Sequence, residues 1–244
     1  MAIAKLFQIL IVNGTLAHMR IWDIDPGYLA RQQLLGEHRE LHGMFNILDQ
    51  GKKGYANHPE TLRWVGCIEA LKRRHELLVS EMLLRGYNHH SPLAEQLGEV
   101  VWPDIYIDPP AQQLRLLAGK YAADQRSGRI PLPVNSQQLW AQHKYSVMAH
   151  DPNLYKVIGP EVAHGRYRDD MEGLTSLLVE TLRAPVDAGR LYNALQHMWG
   201  YVKGDIPPPQ QPVVLLDAIR TAVVERRVEY LLHSTALSEL ALWV

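Results

Sequence analysis

The sequence contains a single cysteine, Cys67, among its 244 residues. One thiol cannot form an intramolecular disulfide, and it cannot supply the several thiolates of a cysteine-based zinc site. The sequence also has no apolar run close to the roughly 20 residues that a membrane-spanning helix needs. These absences exclude a disulfide framework and favour a cytoplasmic protein without a membrane partner.

An excess of basic charge is missing as well. The chain has 25 Lys and Arg against 26 Asp and Glu, which is a formal net charge of −1 at pH 7. Proteins that are held on nucleic acid by phosphate contacts often have a global basic excess. Any nucleic-acid binding by this chain must therefore come from a local patch.

Alternating strand patterns are scarce, whereas apolar residues recur at helical three- and four-residue steps along most of the chain. This periodicity predicts an all-α protein. The first predicted helix begins after the cap residue Asp25 and is expected to break near Gly36 or Gly43. The predicted helices cover 26–48, 59–86, 92–99, 110–126, 136–149, 152–163, 167–183, 188–203 and 213–233.

The segment SGRIPLPVN at 127–135 interrupts this pattern. Its glycine and two prolines disrupt both helical and strand periodicity, which is typical of a domain boundary. We therefore expect two helical domains, at 19–130 and at 131–244. The stretch before them, 1–18, is expected to be an N-terminal extension.

Charged and histidine side chains cluster within the first predicted helix, in the segment GEHRELH at 36–42. From periodicity alone, such a cluster is typical of a solvated helix face. The surrounding sequence favours a different interpretation. Residues 19–48, which begin with MRIWDIDPGYLARQQLLGEHREL, and LRWVGCIEALKRRHELLVSEMLLRGYN at 62–88 resemble the pyrimidine-dimer DNA glycosylases of the phage-type endonuclease V family. The resemblance continues more loosely to residue 125.

This resemblance implies a compact helical glycosylase domain that excises damaged bases, with pyrimidine dimers as the expected lesion. It also implies that the domain cleaves the strand at the resulting abasic site. The family's nucleophile is the protein's own α-amine, which forms an imine with the deoxyribose C1′. An α-amine suits this step because its pKa of about 7.7–8.0 leaves a usable unprotonated fraction near neutral pH, unlike lysine at about 10.4.

The family's nucleophile falls at Met19, which has a free α-amine only if translation starts there. If Met1 is the true start, the nitrogen of Met19 is an amide and cannot form the imine. A third alternative is that Met1 is removed and an 18-residue arm brings the amine of Ala2 to the site. The apolar composition of 1–18 makes this arm a weaker alternative than a misplaced start.

The resemblance also assigns roles to four other side chains. Glu40 matches the family's catalytic glutamate, which stabilises positive charge on the sugar and transfers protons. Arg20 and Arg39 match arginines that bind phosphates beside the lesion, and Gln32 matches a polar residue near the site. The position of a third family arginine is occupied here by Gly43.

The second half resembles the uncharacterised YbgA-type domain, through WAQHKYSVMAH at 140–150 and GRLYNALQHMWGYVKG at 189–204. A buried hydrogen-bond network is the preferred interpretation of its matching polar residues, and a ligand or nucleic-acid site is the alternative. The matching residues are His143, Lys144, Tyr145, Asn193, His197 and Tyr201.

Twelve histidines raise the question of a metal. His38 and His42 lie one helical turn apart, a spacing that can hold zinc. No Asp or Glu completes a recognised pattern, however, so the sequence predicts no metal and no cofactor. The basic run Lys72, Arg73 and Arg74 is expected on an outer helix face, where it either follows a DNA backbone or is simply solvated.

Together these observations predict a monomeric DNA-repair glycosylase and abasic-site lyase whose partner is damaged double-stranded DNA. The alternative from another class is a noncatalytic nucleic-acid or protein-binding module on the same fold. Zinc-dependent hydrolysis is a more distant third interpretation.

Overall fold

A computed structural model describes residues 19–95, 98–203 and 206–244, so the predicted extension at 1–18 lies outside the described residues. Over the described ranges the protein is all-α, with eleven α-helices and no strand, which confirms the predicted fold class. None of the helices in these ranges is long and apolar enough to cross a membrane. The helices are α1 (Arg31–Gln50), α2 (Pro59–Arg63), α3 (Ile68–Leu84), α4 (Pro110–Asp124), α5 (Ser136–His150), α6 (Pro152–Ala163), α7 (Met171–Thr181), α8 (Ala188–Lys203), α9 (Pro212–Arg226), α10 (Glu229–Leu232) and α11 (Ala236–Glu239).

Helix α1 is continuous for 20 residues, so the predicted break near Gly36 or Gly43 is wrong. A glycine inside a helix costs roughly 0.5–1 kcal/mol relative to alanine. Burial of Leu34, Leu41 and Met44, each 0% exposed, offsets this cost on the opposite side of the helix. The residues from Pro26 to Tyr28 form a separate 3-10 turn before α1 rather than its first turn.

The predicted helix at 59–86 is two helices, α2 and α3, separated by a turn. Gly66 adopts a left-handed backbone there, with φ of 81°, which other residues rarely tolerate. Trp64 is buried beside this turn and anchors it in the core. The expected end of the long helix is confirmed, because Gly86 follows α3 with φ of 79°.

The predicted helix at 92–99 is wrong for the residues that are described in this range, 92–95 and 98–99, which are not helical. The later helices agree with their predicted positions within a few residues, except that the last predicted helix divides into α9 and α10. Side-chain caps explain several of the starts. Asn135 accepts a hydrogen bond from the Gln138 backbone at the start of α5, and Asp151 accepts two at the start of α6.

The described residues form three apolar cores. One core is built from residues between Ile21 and Ile130, and the other two lie within the second half, between 139 and 240. The segment at 127–135 packs closely on the first half, because the Ile130 backbone donates to the Gly27 carbonyl at 2.9 Å. A Cβ at Gly128 would come within 2.3 Å of the same carbonyl oxygen. The domain limits themselves stay a prediction.

Buried polar contacts join the two halves. The Tyr28 hydroxyl donates to Gln142 Oε1 at 2.8 Å. Arg129 donates to the buried Glu81 carboxylate at 2.7 Å and to the Ser234 carbonyl at 3.0 Å. The contacts of Tyr28 with Gln142 and of Arg129 with Ser234 favour one packing of the halves, since another packing would bury these polar groups without their partners.

A cavity of about 440 Å³ also lies between the halves. The Asp25 carboxyl borders it and is buried, with Oδ1 accepting from the Gly27 backbone at 2.7 Å. Oδ2 has no hydrogen-bond partner within the described ranges. Burial, with a smaller contribution from the Glu81 charge, raises the pKa of Asp25 to about 7.

A raised folded-state pKa makes stability fall as pH rises, because the unfolded chain releases the Asp25 proton first, above about pH 4. Between about pH 4 and 7 this carboxyl therefore lowers the free energy of unfolding, by on the order of 1 kcal/mol or more. Asp25→Asn keeps the acceptor for Gly27 and removes the ionisable group. Urea denaturation at pH 5 and at pH 8 measures the free energy of unfolding. We expect this free energy to fall less from pH 5 to pH 8 in the variant than in wild type. Equal losses in both proteins would contradict the assignment.

Candidate active site

The chain at positions 19 and 20 lies against the middle of α1. The Arg20 backbone N–H donates to Glu40 Oε2 at 2.6 Å, and the Met19 side chain packs on the first core. The structure therefore brings two of the predicted site residues, Arg20 and Glu40, into direct contact. Glu40 is only partly buried.

A buried ion pair holds this segment in place. The Trp22 backbone N–H donates to Glu37 Oε1 at 3.0 Å, and Glu37 accepts two bonds from Arg74, at 2.7 and 2.9 Å. Arg74 also donates to the Ile24 carbonyl at 2.7 Å. Burial raises the pKa of Glu37 to about 7, and the Arg74 charge opposes this shift. The expectation that Arg74 lies on an outer helix face is wrong, because it is 3% exposed.

A second buried arginine supports the same segment. Arg63 donates to the Ile21 carbonyl at 2.9 Å, to both Asp23 carboxylate oxygens at 3.1 Å, and to Glu60 at 2.7 Å. The neighbouring carboxylates raise the pKa of Arg63 although burial opposes this, so it stays charged. No role was predicted for Arg63, because nothing in the quoted segment at 62–88 distinguishes this arginine from its neighbours.

Arg20 directs its guanidinium to the Asp108 carboxylate, with which it forms an ion pair. It also lies over the Trp22 ring, 4.9 Å from the centroid, while the Lys120 ammonium lies 5.7 Å from the same ring. Trp22 itself is buried. Cations near an aromatic face are held by its negative charge density, so these contacts order two basic groups at the Trp22 ring.

The remaining predicted residues lie on the exposed surface of α1. Arg39 is exposed, and the exposed Gln32 accepts a hydrogen bond from the Arg126 guanidinium. Gly36 lies between these two residues, and Gly43 lies beyond them. A Cβ added at either glycine would have no atom within 4 Å. This face of α1 therefore combines an arginine and an amide with open space where side chains would otherwise project.

The second-half residues that were considered as a polar site lie in different surroundings. His143 is buried, with Nδ1 at 2.9 Å from the Leu139 carbonyl and 3.4 Å from the Tyr28 hydroxyl, and burial lowers its pKa to about 4. Asn193 and His197 are exposed on α8.

The other three residues meet at an aromatic cluster with Tyr230. The Tyr145 ring lies 6.3 Å from Tyr201 and from Tyr230, and the Lys144 ammonium lies 4.8 Å from the Tyr145 and Tyr230 rings. Burial and the neighbouring hydroxyls raise the pKa of Tyr145. Tyr230 lies outside both quoted motifs, so the sequence provided no signal for it.

Four histidines converge beside α1. His38 and His42 of α1 meet His75 of α3 and His89 from the segment after α3, with candidate ligand atoms all within 4.8 Å of one another. The Nε2 atoms of His42 and His75 are 3.2 Å apart, and those of His38 and His89 are 3.1 Å apart. Burial, followed by the neighbouring histidines, lowers the pKa of His38 to about 4.

Two separate parts of the chain match known families. Residues 19–95 match the model of the pyrimidine dimer DNA glycosylase family, and residues 144–221 match a family of proteins of unknown function, DUF1722. No curated protein and no solved structure matches the chain significantly. The chain thus joins a pyrimidine dimer DNA glycosylase-like segment, which contains Arg20, Gln32, Arg39 and Glu40, to a segment similar to a family without an assigned function.

Proposed function

We propose that this protein is a DNA-repair glycosylase and abasic-site lyase that acts on pyrimidine dimers in double-stranded DNA. In this proposal, the α-amine of Met19 is the nucleophile in a chain that begins at that residue. Glu40 is the catalytic carboxylate, and Arg20, Gln32 and Arg39 bind the DNA. The family match of residues 19–95 supports the substrate class.

The contact between the Arg20 backbone nitrogen and Glu40 Oε2, at 2.6 Å, is the observation that carries the proposal. Consecutive Cα atoms are only about 3.8 Å apart, so an amine at position 19 would lie within reach of the same carboxylate. A catalytic acid or base must lie within hydrogen-bond distance of the proton that it transfers, directly or through one water. In this proposal Glu40 would meet the requirement for an amine at Met19, directly or through one water.

The proposed reaction begins when the amine lone pair bonds to C1′ of the deoxyribose. The C1′–N bond to the damaged base breaks, and its electron pair leaves with the base, which takes up a proton. Glu40 accepts a proton from the attacking amine and returns it to O4′ as the C1′–O4′ bond breaks, which leaves an imine at C1′. Loss of a proton from C2′ then expels the 3′ phosphate and cuts the strand.

The exposed face of α1 is suited to a DNA backbone. The guanidinium of Arg39 can bind a phosphate through two hydrogen bonds, and Gly36 and Gly43 leave room for the backbone to approach the helix. Arg20 would exchange its Asp108 partner for a phosphate, which costs little net energy because the pair is partly solvated. A local patch of this kind is compatible with the balanced overall charge of the chain.

Replacing Arg39 by glutamine is expected to weaken DNA binding to a similar extent for damaged and undamaged duplexes. Loss of one phosphate contact lowers the slope of log K against log salt by about 1. Fluorescence anisotropy at several salt concentrations measures this slope. Arg168→Gln is the matched control, since Arg168 is also exposed but lies in the second half. An unchanged slope in Arg39→Gln would exclude a phosphate contact.

Borohydride trapping tests the proposed function directly. The full 244-residue chain and the chain that begins at Met19 are incubated with duplexes that contain either a pyrimidine dimer or an abasic site. Borohydride reduces an imine to a stable amine, so an imine intermediate becomes a covalent protein–DNA adduct. A third protein, with one alanine added before Met19, displaces the amine by one residue and serves as the control.

We expect the Met19 chain to form the adduct and to nick both duplexes, and the alanine-extended chain to form much less. Adducts of equal yield from all three proteins would reject the Met19 amine as the nucleophile. Binding of damaged DNA without adduct or nicking by any of the proteins would favour the noncatalytic binding module instead.

A further inference from the structure

We propose that His38, His42, His75 and His89 form a closed binding site for one divalent transition-metal ion, with zinc as the preferred ion. The site would have a structural role and would not take part in the reaction at Glu40. This inference departs from the sequence reading, which predicted no metal. It is also independent of the proposed function.

The separation of the imidazole nitrogens agrees with tetrahedral coordination. A Zn–N distance of about 2.0–2.1 Å places tetrahedral ligand atoms about 3.3–3.4 Å from one another. The two Nε2 pairs are 3.1 and 3.2 Å apart, and the candidate ligand atoms all fall within 4.8 Å. Small side-chain rotations would therefore bring all four nitrogens to coordination distance around one ion.

The orientation of the rings is the second argument. The Nε2 atoms face one another in two pairs, His42 with His75 and His38 with His89, and each pair can be a hydrogen bond only if one nitrogen donates and the other accepts. A metal ion instead accepts the lone pairs of all four nitrogens at once. His75 Nδ1 lies 2.9 Å from Glu76 Oε1, the carboxylate–histidine pairing that fixes the tautomer and orients a metal-binding ring.

The location of the cluster indicates what the ion would stabilise. His38 and His42 belong to α1, His75 to α3, and His89 to the non-helical segment that follows α3. One ion would thus tie two packed helices to a segment with no regular hydrogen bonding of its own. Structural zinc sites have four protein ligands and no open position, which matches this set.

The cluster is separate from the candidate active site. With about 100° of rotation per residue, Glu40 lies about 200° around α1 from both His38 and His42. A metal ion at the histidines therefore faces away from the carboxylate. Loss of the ion is expected to affect the packing of α1 on α3 more strongly than proton transfer at Glu40.

Zinc binding by the full chain, purified without a histidine tag, tests the proposal. The protein is stripped with a chelator and titrated with Zn²⁺ in competition with a chromophoric chelator, and the bound metal is counted by elemental analysis. His89→Gln and His38→Gln each remove one ligand, and His90→Gln is the control at an exposed neighbouring position. Glu76→Gln removes the carboxylate that orients His75. Circular dichroism of the metal-free proteins verifies that each variant keeps its helical content.

We expect one zinc per wild-type chain and per His90→Gln chain, together with a higher thermal midpoint when zinc is present. His89→Gln and His38→Gln should bind more than about 100-fold more weakly, because losing a residue that only orients a metal-binding ring already costs roughly 10- to 100-fold. Glu76→Gln should weaken zinc binding by roughly 10- to 100-fold. Failure of wild type to bind stoichiometric zinc would overturn the proposal, and so would equal affinity in His89→Gln, His38→Gln and His90→Gln.

Discussion

Replacing Glu40 by glutamine is expected to lower the rate of dimer excision by about 10²- to 10⁴-fold, the usual contribution of a positioned acid–base group. Glutamine keeps an oxygen that can accept the hydrogen bond from the Arg20 backbone, so the local structure should persist. DNA affinity should change little, because the carboxylate itself binds no phosphate. Single-turnover cleavage of a dimer-containing duplex measures the rate, and fluorescence anisotropy measures the affinity.

The matched control for this variant is Glu225→Gln, at an exposed glutamate of α9 in the second half. It removes the same charge far from the candidate site and should cleave like wild type. Excision at the wild-type rate by Glu40→Gln would reject Glu40 as the catalytic carboxylate.

The second large effect is expected from Arg74→Met. This change leaves the buried Glu37 without its charged partner, although Glu37 still accepts from the Trp22 backbone. Removing one partner of a buried ion pair typically costs about 3–5 kcal/mol. We therefore expect the free energy of unfolding, measured by denaturation in guanidinium chloride, to fall by that amount. Because the pair anchors the segment before α1, damage to activity should accompany the loss.

Two comparisons separate the ion pair from ordinary packing. Arg73→Met, at the adjacent half-buried arginine, should cost about 1 kcal/mol or less, since it loses mainly a contact 4.5 Å above the Trp243 ring. The double variant Glu37→Met with Arg74→Met should recover part of the loss because no buried charge remains unpaired. If Arg74→Met is no more destabilising than Arg73→Met, the proposed role of the ion pair is wrong.

The helices of the second half show what the sequence alone could predict. The expected spans 136–149, 152–163 and 188–203 agree with α5, α6 and α8 within one residue at each end. Their starts are marked by local chemistry, such as the Asn135 and Asp151 caps, and their lengths by regular apolar steps. Local signals of this kind need no knowledge of the tertiary structure.

The errors occurred where tertiary packing overrides local preference. Two glycines in α1 resemble helix breaks, yet burial of the opposite face keeps the helix intact. The long periodic segment at 59–86 contains a turn that the pattern did not indicate, because Leu62 and Val65 continue the apolar steps of the helix although both are exposed. Arg74 belongs to a basic run that is typical of a solvated face, and only the position of Glu37 explains its burial.

The candidate site shows the same division. The family resemblance predicted Glu40 and the residues near it, and the contact of Glu40 with the Arg20 backbone is compatible with those assignments. The histidine cluster was beyond the sequence reading, since His75 and His89 lie 33 and 51 residues from their partners His42 and His38. Only the packing of α1 on α3 brings such distant residues together.

The central claim is that the amine of residue 19 forms the bond to the sugar, and peptide mapping of the borohydride-trapped adduct tests it most directly. Mass spectrometry of the digested adduct from the Met19 chain locates the reduced sugar. We predict that it is attached to the α-nitrogen of Met19. Attachment to a lysine side chain, such as that of Lys120 beside Trp22, would contradict the account.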